Sequence, residues 1–340
     1  MTQGFQAWQP PSEWQRQEYS TRADNGHYSS AQQLKQRMGQ SANGRKGPGF
    51  RRAFQRFLIL LSLVVIAGFV LLYGIRLLSP SENNTSEAEI PEPTVPKLDY
   101  SDFRPGRIIT DQAMSDWDSM DEKQIQDFLN KVGKGCRPGE STFSSLPCLK
   151  DYTMNVPSRP ADTYCSLPYD GKENASAAYM IAQTSKACQI NPKVLLVLLQ
   201  KEQSLLTASS YRLVPRKYET ATGYACPDNS QCDPTYFGLD QQLYYAARQF
   251  QRYRVQPGQY SVKAGITNEI KYSLDSDCGV QQVYVENWAT AALYNYTPYT
   301  PNAATLAGNS DDCSQYGNLN FYGLYKVWFG DPGIEGRAGG

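Results

Sequence analysis

The feature that most constrains this chain is one uncharged apolar segment near its N-terminus. Phe57 to Ile75 contains no charged residue and is bounded by Arg56 and Arg76. A helix over this segment rises about 28 Å, close to the hydrocarbon thickness of a bilayer. We therefore predict a single transmembrane helix over residues 57–76, with the lipid bilayer as its partner. A cleaved signal peptide is the alternative, but its apolar region would be shorter and would end at a small-residue cleavage site.

The flanking charges predict the orientation of this helix. Residues 1–56 contain nine lysines and arginines against three acidic residues, a net charge of +6, and basic flanks stay on the cytoplasmic side. This segment is poor in aliphatic side chains, which is typical of disordered tails. We expect a disordered, basic cytoplasmic tail, a single-pass protein of the cell membrane and an extracellular C-terminal domain. The tail's aromatic residues are compatible with a motif for a cytoplasmic or envelope protein partner, although a solvated tail is the simpler interpretation.

The cysteines indicate the same topology. All eight lie on the C-terminal side of the apolar segment, and an even number in one region favours disulfides formed in an oxidising, extracytoplasmic compartment. Short spacing predicts closure of Cys226 with Cys232 and suggests closure of Cys136 with Cys148. A zinc site is the alternative, but no CxxC pair occurs, so we predict no metal site.

The region beyond the membrane divides by composition. Residues 77–98 are rich in Pro and Glu and predict an extended linker. Residues 99–330 carry mostly helical patterns with long cysteine-bearing loops. Residues 331–340 contain IEGR, which resembles the remnant of a protease-cleavage tag. The predicted fold is an α-dominated α+β domain with disulfide-bonded loops, preceded by the membrane helix and the disordered tail.

Local signals place the predicted elements. Ser119 lies three residues before Glu122, the spacing of a capping box, and Asn191 with Pro192 is typical of a helix start. Another helix is expected from about Asn174 to Cys188. The remaining helices are expected within FGLDQQLYYAARQFQRY (237–253), NWATAALYNY (287–296) and NLNFYGLYKVWFG (318–330), and a hairpin within YSVKAGITNEIKYS (260–273) and VQQVYVE (280–286).

Histidine limits the chemistry of the extracellular region. The only histidine is His27, which precedes the apolar segment. The region beyond the membrane therefore has no Ser-His-Asp or Cys-His pair, no histidine-ligated zinc and no histidine base. The balance of 33 basic and 33 acidic side chains argues against nucleic-acid binding. Carboxylates, tyrosines, lysines and hydroxyls remain, and no cofactor is expected.

Glu202 is the carboxylate that the sequence singles out. It follows Leu198 by four residues and precedes Leu205 by three, so it shares the apolar face of a predicted helix. It also lies near the end of that helix, where the macrodipole disfavours negative charge. Both effects favour the neutral acid that a general acid must be before it donates a proton. The alternative is a glutamate that turns into water beside Lys201.

The motifs around this glutamate resemble a known family. LLQKEQSLLT (198–207) resembles the catalytic-helix motif of lysozyme-like lytic transglycosylases, in which a Glu ends an apolar helix and Ser follows closely. FGLDQQ (237–242) is similar to that family's Gly-Leu-Met-Gln loop, and ALYNYTPY (292–299) to its Ala-Tyr-Asn segment. The order of motifs over residues 113–330 resembles cell-wall glycosidase domains of Gram-positive bacteria. The resemblance implies a lysozyme-like fold for residues 99–330.

The resemblance also implies a reaction and a site. Such domains cleave the β-1,4 bond of peptidoglycan with one acid, and the sugar's own 6-hydroxyl or a water attacks the anomeric carbon. By transfer, Glu202 is the catalytic acid and base. The residues expected to shape the pocket or to orient the acid and substrate are Ser204, Gln241, Tyr294 and Asn295. Glycosidic cleavage is chemistry that carboxylates perform without histidine or metal.

Departures from the family motif leave alternatives open. Gln203 separates Glu202 from Ser204, and Asp240 replaces the usual Met. Asp240 is either a second carboxylate for lysozyme-like hydrolysis or a helix N-terminal residue stabilised by the dipole. Several tyrosines are candidates to stack on sugar rings, or else core residues; they are Tyr224, Tyr236, Tyr294 and Tyr299.

The sequence thus predicts a membrane-anchored peptidoglycan glycosidase, either a lytic transglycosylase or a hydrolase. The alternative is a catalytically inactive lysozyme-like module that binds glycan or acts as a scaffold in an envelope assembly. Peptidoglycan strands are the expected partner in both cases. The presence of Glu202 favours the enzyme.

Overall fold

The computed structural model describes residues 91–140 and 145–334. The predicted cytoplasmic tail, the predicted transmembrane helix and residues 77–90 of the predicted linker lie outside the described residues, as do residues 335–340. Among the helices that are described, none is both long and apolar enough to cross a membrane.

The described chain is a mostly helical α+β domain with three two-stranded antiparallel hairpins. The predicted fold class is confirmed at this level. The helices are α1 Asp111–Ser115, α2 Glu122–Val132, α3 Ala177–Cys188, α4 Pro192–Gln203, α5 Pro215–Glu219, α6 Leu239–Val255, α7 Trp288–Tyr296, α8 Ala303–Leu306 and α9 Gly317–Phe329. The hairpins pair β1 Gly139–Glu140 with β2 Ser145–Leu146, β3 Thr153–Val156 with β4 Lys172–Ser176, and β5 Ile266–Lys271 with β6 Val280–Val285.

Helix starts follow side-chain capping, with two corrections to the predicted boundaries. Asn191 caps α4 and Pro192 is its first residue, as predicted. The capping box of α2 is formed by Asp121 and Gln124, so the box expected at Ser119 and Glu122 is wrong. The second predicted helix begins at Ala177 rather than near Asn174, because residues 172–176 pair with β3 as a strand.

Helix α4 lies at the centre of the core. Val194 to Leu199 are all essentially inaccessible to solvent, which is typical of a helix with apolar residues on every face. The helix packs against α3 and α9, and α3 in turn packs against α2 and α6. The end of α4 is therefore held in place by the surrounding helices.

Four disulfides join the loops to this core. They are Cys136–Cys148, Cys165–Cys188, Cys226–Cys232 and Cys278–Cys313. Both pairs expected from short spacing are confirmed, and no free cysteine occurs in the described ranges. Four disulfides in one domain are typical of an extracellular protein.

The ends of the domain reach further than the composition suggests. The Thr110 N–H donates to the Pro332 carbonyl at 2.8 Å. Residues 331–333 therefore pack against the domain, whereas the tag remnant predicted for residues 331–340 stays a prediction. At the other end, Glu92 pairs with Arg137 and Arg212, with N–O distances of 2.7 Å in both pairs. The last part of the predicted linker therefore lies against the domain.

Replacing Glu92 by Gln is expected to loosen residues 93–98. Hydrogen bonds from Arg137 and then Arg212 lower the pKa of Glu92. Because the pKa of Glu92 is lowered in the folded protein, its ion pairs stabilise the attachment of this segment at pH values above the ordinary carboxyl pKa. This stabilisation is lost as pH falls through the lowered pKa. Amide hydrogen exchange at pH 7 should be faster in residues 93–98 of Glu92→Gln, and the difference should shrink at acid pH. The exposed Glu173→Gln control should exchange like the parent. If Glu92→Gln also exchanges like the parent, the ion pairs of Glu92 do not hold residues 93–98 in place.

Candidate functional site

A cavity of about 730 Å³ lies at the C-terminal end of α4. Its walls come from the last turn of α4, from residues 220–228, from the chain just after α7 and from the start of α9. These segments are distant in sequence and meet only in the folded domain. A ligand of the size of one or two sugar rings fits a cavity of this volume.

Glu202 lies on the last turn of α4 and lines this cavity. Its side chain is 24% exposed, so the carboxylate is neither buried in the core nor fully solvated. The helix ends immediately afterwards because Ser204 adopts a left-handed conformation, with φ of 52°, and its N–H donates to the Gln200 carbonyl at 2.8 Å. The predicted placement of Glu202 on a helix end holds.

Lys201 forms an ion pair with Glu202 inside the cavity. The lysine side chain is only 6% exposed, and its Nζ also donates to Thr297 Oγ1 at 3.0 Å. The predicted apolar face therefore contains an unexpected positive charge. The ammonium offsets the negative charge of Glu202 and fixes the position of one carboxylate oxygen.

Gly223 forms the wall directly facing Glu202. Its φ is +73°, and a Cβ at this position would lie 3.1 Å from Glu202 Oε2. The turn approaches the carboxylate this closely because glycine has no side chain and accepts the left-handed conformation. Gly223 thus shapes the site, although the sequence did not single it out.

Replacing Gly223 by Ala is expected to cost about 1–2 kcal/mol of stability, because a left-handed residue with a Cβ is strained. It should also lower the glycosidase activity predicted from the sequence by more than the loss of stability explains, because the added methyl group displaces Glu202. Gly265→Ala is the matched control, since Gly265 has φ of +78° and a Cβ added there would meet nothing within 4 Å. Urea denaturation and turnover should separate the two variants. Equal turnover in both would contradict the contact with Glu202.

Gln242 holds this wall in place, although the motif comparison had selected Gln241. The buried Gln242 side chain accepts from the N–H groups of Thr222 and Tyr224 at 3.2 and 3.1 Å. It donates to the carbonyls of Tyr224 and Tyr236 at 3.0 and 2.8 Å. Gln241 instead accepts from Arg159 at 3.2 Å and does not line the cavity. Neither glutamine lines the cavity, but Gln242 supports the turn that forms its wall.

The aromatic residue beside Glu202 is Tyr296 rather than Tyr294. Tyr296 lines the cavity, and its hydroxyl donates to the Thr222 carbonyl at 2.9 Å. Burial, followed by the negative charge of Glu202, raises the pKa of Tyr296 well above its usual value. Tyr296 is therefore a neutral donor at ordinary pH.

Tyr294 and Asn295 do not take the roles expected of them. Tyr294 is fully buried, its hydroxyl donates to the Pro105 carbonyl at 3.1 Å, and burial raises its pKa to about 12. Asn295 touches the cavity, but its side-chain amide donates to the Val262 carbonyl and accepts from the Val262 N–H. Tyr294 is a core residue, and Asn295 anchors a loop.

Two further predicted site residues lie outside the cavity. Ser204 is exposed and ends α4. Asp240 is buried, with Oδ2 2.5 Å from Arg159 Nη2 and with the Tyr169 hydroxyl donating to Oδ1 at 2.8 Å. Asp240 does not line the cavity, and both of its carboxylate oxygens accept from buried partners, so the structure does not bring it together with Glu202.

A tyrosine cluster borders a second, smaller cavity of about 370 Å³. This cavity shares Gly223, Pro227 and Tyr296 with the larger one, so the two are neighbours. Tyr224 lines it and packs edge-on against Tyr236, with ring centroids 5.0 Å apart. Burial raises the pKa of Tyr224 to about 12. A partly exposed tyrosine ring beside a cavity can stack on a sugar.

A second carboxylate that the sequence missed, Asp228, lines the larger cavity. It lies on the loop closed by Cys226–Cys232, and its Oδ2 accepts from the Tyr299 hydroxyl at 2.5 Å. Burial, followed by this hydrogen bond, raises the pKa of Tyr299 to about 12. Tyr299 therefore lines the cavity as predicted and also positions the loop. Nothing in the spacing of the sequence indicates that Asp228 and Tyr299 are in contact.

Within residues 91–140 and 145–334, no group of three or more His, Cys, Asp or Glu side chains could hold a metal ion. The lining of the larger cavity includes two carboxylates, Glu202 and Asp228, the ammonium of Lys201 and the phenols of Tyr296 and Tyr299.

Comparison with known proteins finds no matching family model, no similar curated protein and no similar solved structure. The likeness to cell-wall glycosidases stays a prediction carried by the motifs of the chain.

Proposed function

We propose that the domain is a lysozyme-like peptidoglycan glycosidase in which Glu202 is the catalytic acid and base. The observation that carries the proposal is the position of Glu202: a partly exposed carboxylate on a rigid helix end, facing a cavity of about 730 Å³. The close wall at Gly223 and the neutral phenol of Tyr296 supply a fixed surface on which a sugar ring is oriented against the acid. Fixed geometry of this kind is what general acid catalysis requires.

The proposed reaction balances with one carboxyl group. Glu202 donates its proton to the glycosidic oxygen, the bond from this oxygen to the anomeric carbon breaks, and the alcohol leaves. The carboxylate then accepts a proton from the attacking hydroxyl. If water attacks, the product has a reducing end; if the sugar's 6-hydroxyl attacks, the product is the 1,6-anhydro sugar.

Asp228 supports the hydrolytic form of this proposal. A second carboxylate in the same cavity can accept a proton from water or stabilise the positive charge that develops on the sugar. The Tyr299 hydroxyl bonds to one of its oxygens and holds the side chain at the cavity wall. A lytic transglycosylase needs only one acid, so the products distinguish the two forms.

The test is incubation of the full-length protein, in detergent micelles, with purified peptidoglycan, followed by mass analysis of the released muropeptides. Release of fragments with reducing ends supports hydrolysis, and release of 1,6-anhydro ends supports transglycosylation. If no peptidoglycan preparation releases fragments above the level of a heat-denatured control, the enzymatic proposal is contradicted.

The second candidate is a glycan-binding scaffold without activity. The ion pair between Lys201 and Glu202 favours it, because the ammonium occupies a carboxylate oxygen that a general acid would turn towards the glycosidic bond. In this case peptidoglycan binds in the same cavity and is not cleaved.

We also propose that the protein is anchored in the cell membrane by residues 57–76, with its N-terminus in the cytoplasm and the domain outside. The four disulfides support the extracellular placement of the domain. The charge distribution of residues 1–56 supports the orientation.

A further inference from the structure

The ammonium group of Lys201 has a hydrogen-bonding capacity that the domain does not use. Only 6% of its side chain is exposed, and burying a charge is costly unless its donors are satisfied. An ammonium carries three N–H donors. The described part of the chain offers two acceptors, Glu202 Oε1 and Thr297 Oγ1. Because Lys201 lines the cavity, its third donor is available to a ligand there.

The start of α9 lies next to this ammonium. A Cβ on Gly317, the first residue of α9, would be 3.9 Å from Lys201 Nζ and 2.5 Å from Thr297 Cγ2. Gly317 and the preceding Gln315 both line the cavity. The absence of a side chain on Gly317 therefore lets Lys201, Thr297 and the helix start meet at one place.

The N–H groups of the first turn of α9 are also unoccupied by a cap. Tyr316 precedes the helix and makes no side-chain capping hydrogen bond. The first N–H groups of a helix have no partner within the helix and carry part of the positive end of its dipole. An ammonium and a helix N-terminus that converge on one wall of a cavity favour an anion.

We propose that Lys201 and the first turn of α9 form a subsite for a carboxylate of the glycan, the free lactyl group of a muramic acid residue. This proposal rests on the proposed function, since it names the substrate class of the same cavity. The lactyl group is an amide where a stem peptide is attached and a carboxylate where the peptide has been removed. The subsite therefore selects glycan strands without peptides.

The subsite also gives the ion pair at Glu202 a role. A carboxylate of the ligand on the third donor of Lys201 shares the ammonium with Glu202. The weaker pairing leaves the Glu202 side chain free to turn towards the glycosidic oxygen. Lys201 is in this sense a specificity and positioning residue, and the ligand itself completes the catalytic arrangement.

The test compares two probes that differ in one charge, N-acetylmuramic acid and its lactyl methyl ester. Their binding to the full-length protein in detergent micelles is measured by calorimetry or ligand-observed NMR. The acid is expected to bind at least about tenfold more tightly, the usual effect of a hydrogen bond to a charged group. Lys201→Met should remove this preference, whereas Lys186→Met, which deletes an exposed lysine of α3, should keep it.

Three outcomes would overturn the subsite: equal binding of acid and ester by the parent protein, a preference that survives in Lys201→Met, or no binding of either probe at about 10 mM. The comparison of probes on the parent protein does not depend on the folding of a variant.

A free stem peptide with a terminal carboxylate is the third probe, and its binding in place of the sugar acid would overturn the lactyl assignment. Acid-selective binding without any glycan turnover would remove the proposed enzyme and leave the subsite standing. Glycan turnover without acid-selective binding would remove the subsite and leave the proposed enzyme standing.

Discussion

Replacing Glu202 by Gln is expected to lower the turnover of peptidoglycan by at least about 100-fold while the domain stays folded. The amide keeps the volume and much of the hydrogen-bonding shape of the carboxyl group but cannot donate the proton that the leaving oxygen needs. The Lys201 ammonium keeps Thr297 as an acceptor and can still bond the amide oxygen. Turnover is measured as muropeptide release, and folding as the urea midpoint.

The matched control is Glu122→Gln, which makes the same chemical change on the exposed start of α2. Its turnover should equal that of the parent. Glu202→Gln that retains turnover within about threefold would show that the carboxyl proton is not used, because the loss of a general acid normally costs far more. The scaffold function would then replace the enzymatic one.

Replacing Asp240 by Asn is expected to destabilise the domain by about 3–5 kcal/mol, the usual cost of removing one partner of a buried ion pair. The side chains of Arg159 and Asp240 are 11% and 3% exposed. The guanidinium also lies over the rings of Tyr169 and Tyr244, so it has little room to reach water. Without the carboxylate its charge stays buried with no counter-charge.

Asp127→Asn is the matched control for this variant. Asp127 pairs with Lys123 on the exposed surface of α2 at 2.6 Å, and exposed pairs contribute at most about 1 kcal/mol. Urea denaturation should therefore separate the two variants clearly. Below its unfolding transition, Asp240→Asn should also retain the turnover of the parent per folded molecule. A loss of turnover without a loss of stability would indicate that Asp240 takes part in the reaction.

The sequence located the helix that carries Glu202 well and the residues around it poorly. The start of α4 at Asn191 and Pro192 depends on local capping, which a sequence displays directly. The disulfide between Cys226 and Cys232 is also a local feature, because the two cysteines are six positions apart in the sequence. Glu202 was identifiable because one helix carries both its apolar face and its position near the helix end.

The errors around the site have a geometric cause. Tyr294 and Tyr296 are two residues apart on α7, which turns them about 200° from each other, so only one of them can face the cavity. A motif match that is uncertain by one or two positions therefore selects the wrong face. Gln241 and Gln242 differ in the same way: one lies against Arg159 and the other beneath the turn at Gly223.

The meeting of Asp228 with Tyr299 was beyond sequence reasoning for another reason. These residues are 71 positions apart, and nothing local specifies which loops come together. Lys201 is a similar case, because a lysine beside a glutamate on a helix is normally solvated. Its burial follows from Thr297 and Gly317, which α7 and α9 bring to the end of α4.

The loop between Cys226 and Cys232 is held at its ends by a disulfide and contributes to the cavity. Its ends are six residues apart in sequence and are tied to each other by the disulfide, so closure does not depend on the side chains between them. Two of those side chains, Pro227 and Asp228, nevertheless line the cavity. Substitutions within this loop can therefore change which ligands the cavity accepts, while the helix that presents Glu202 is left unchanged.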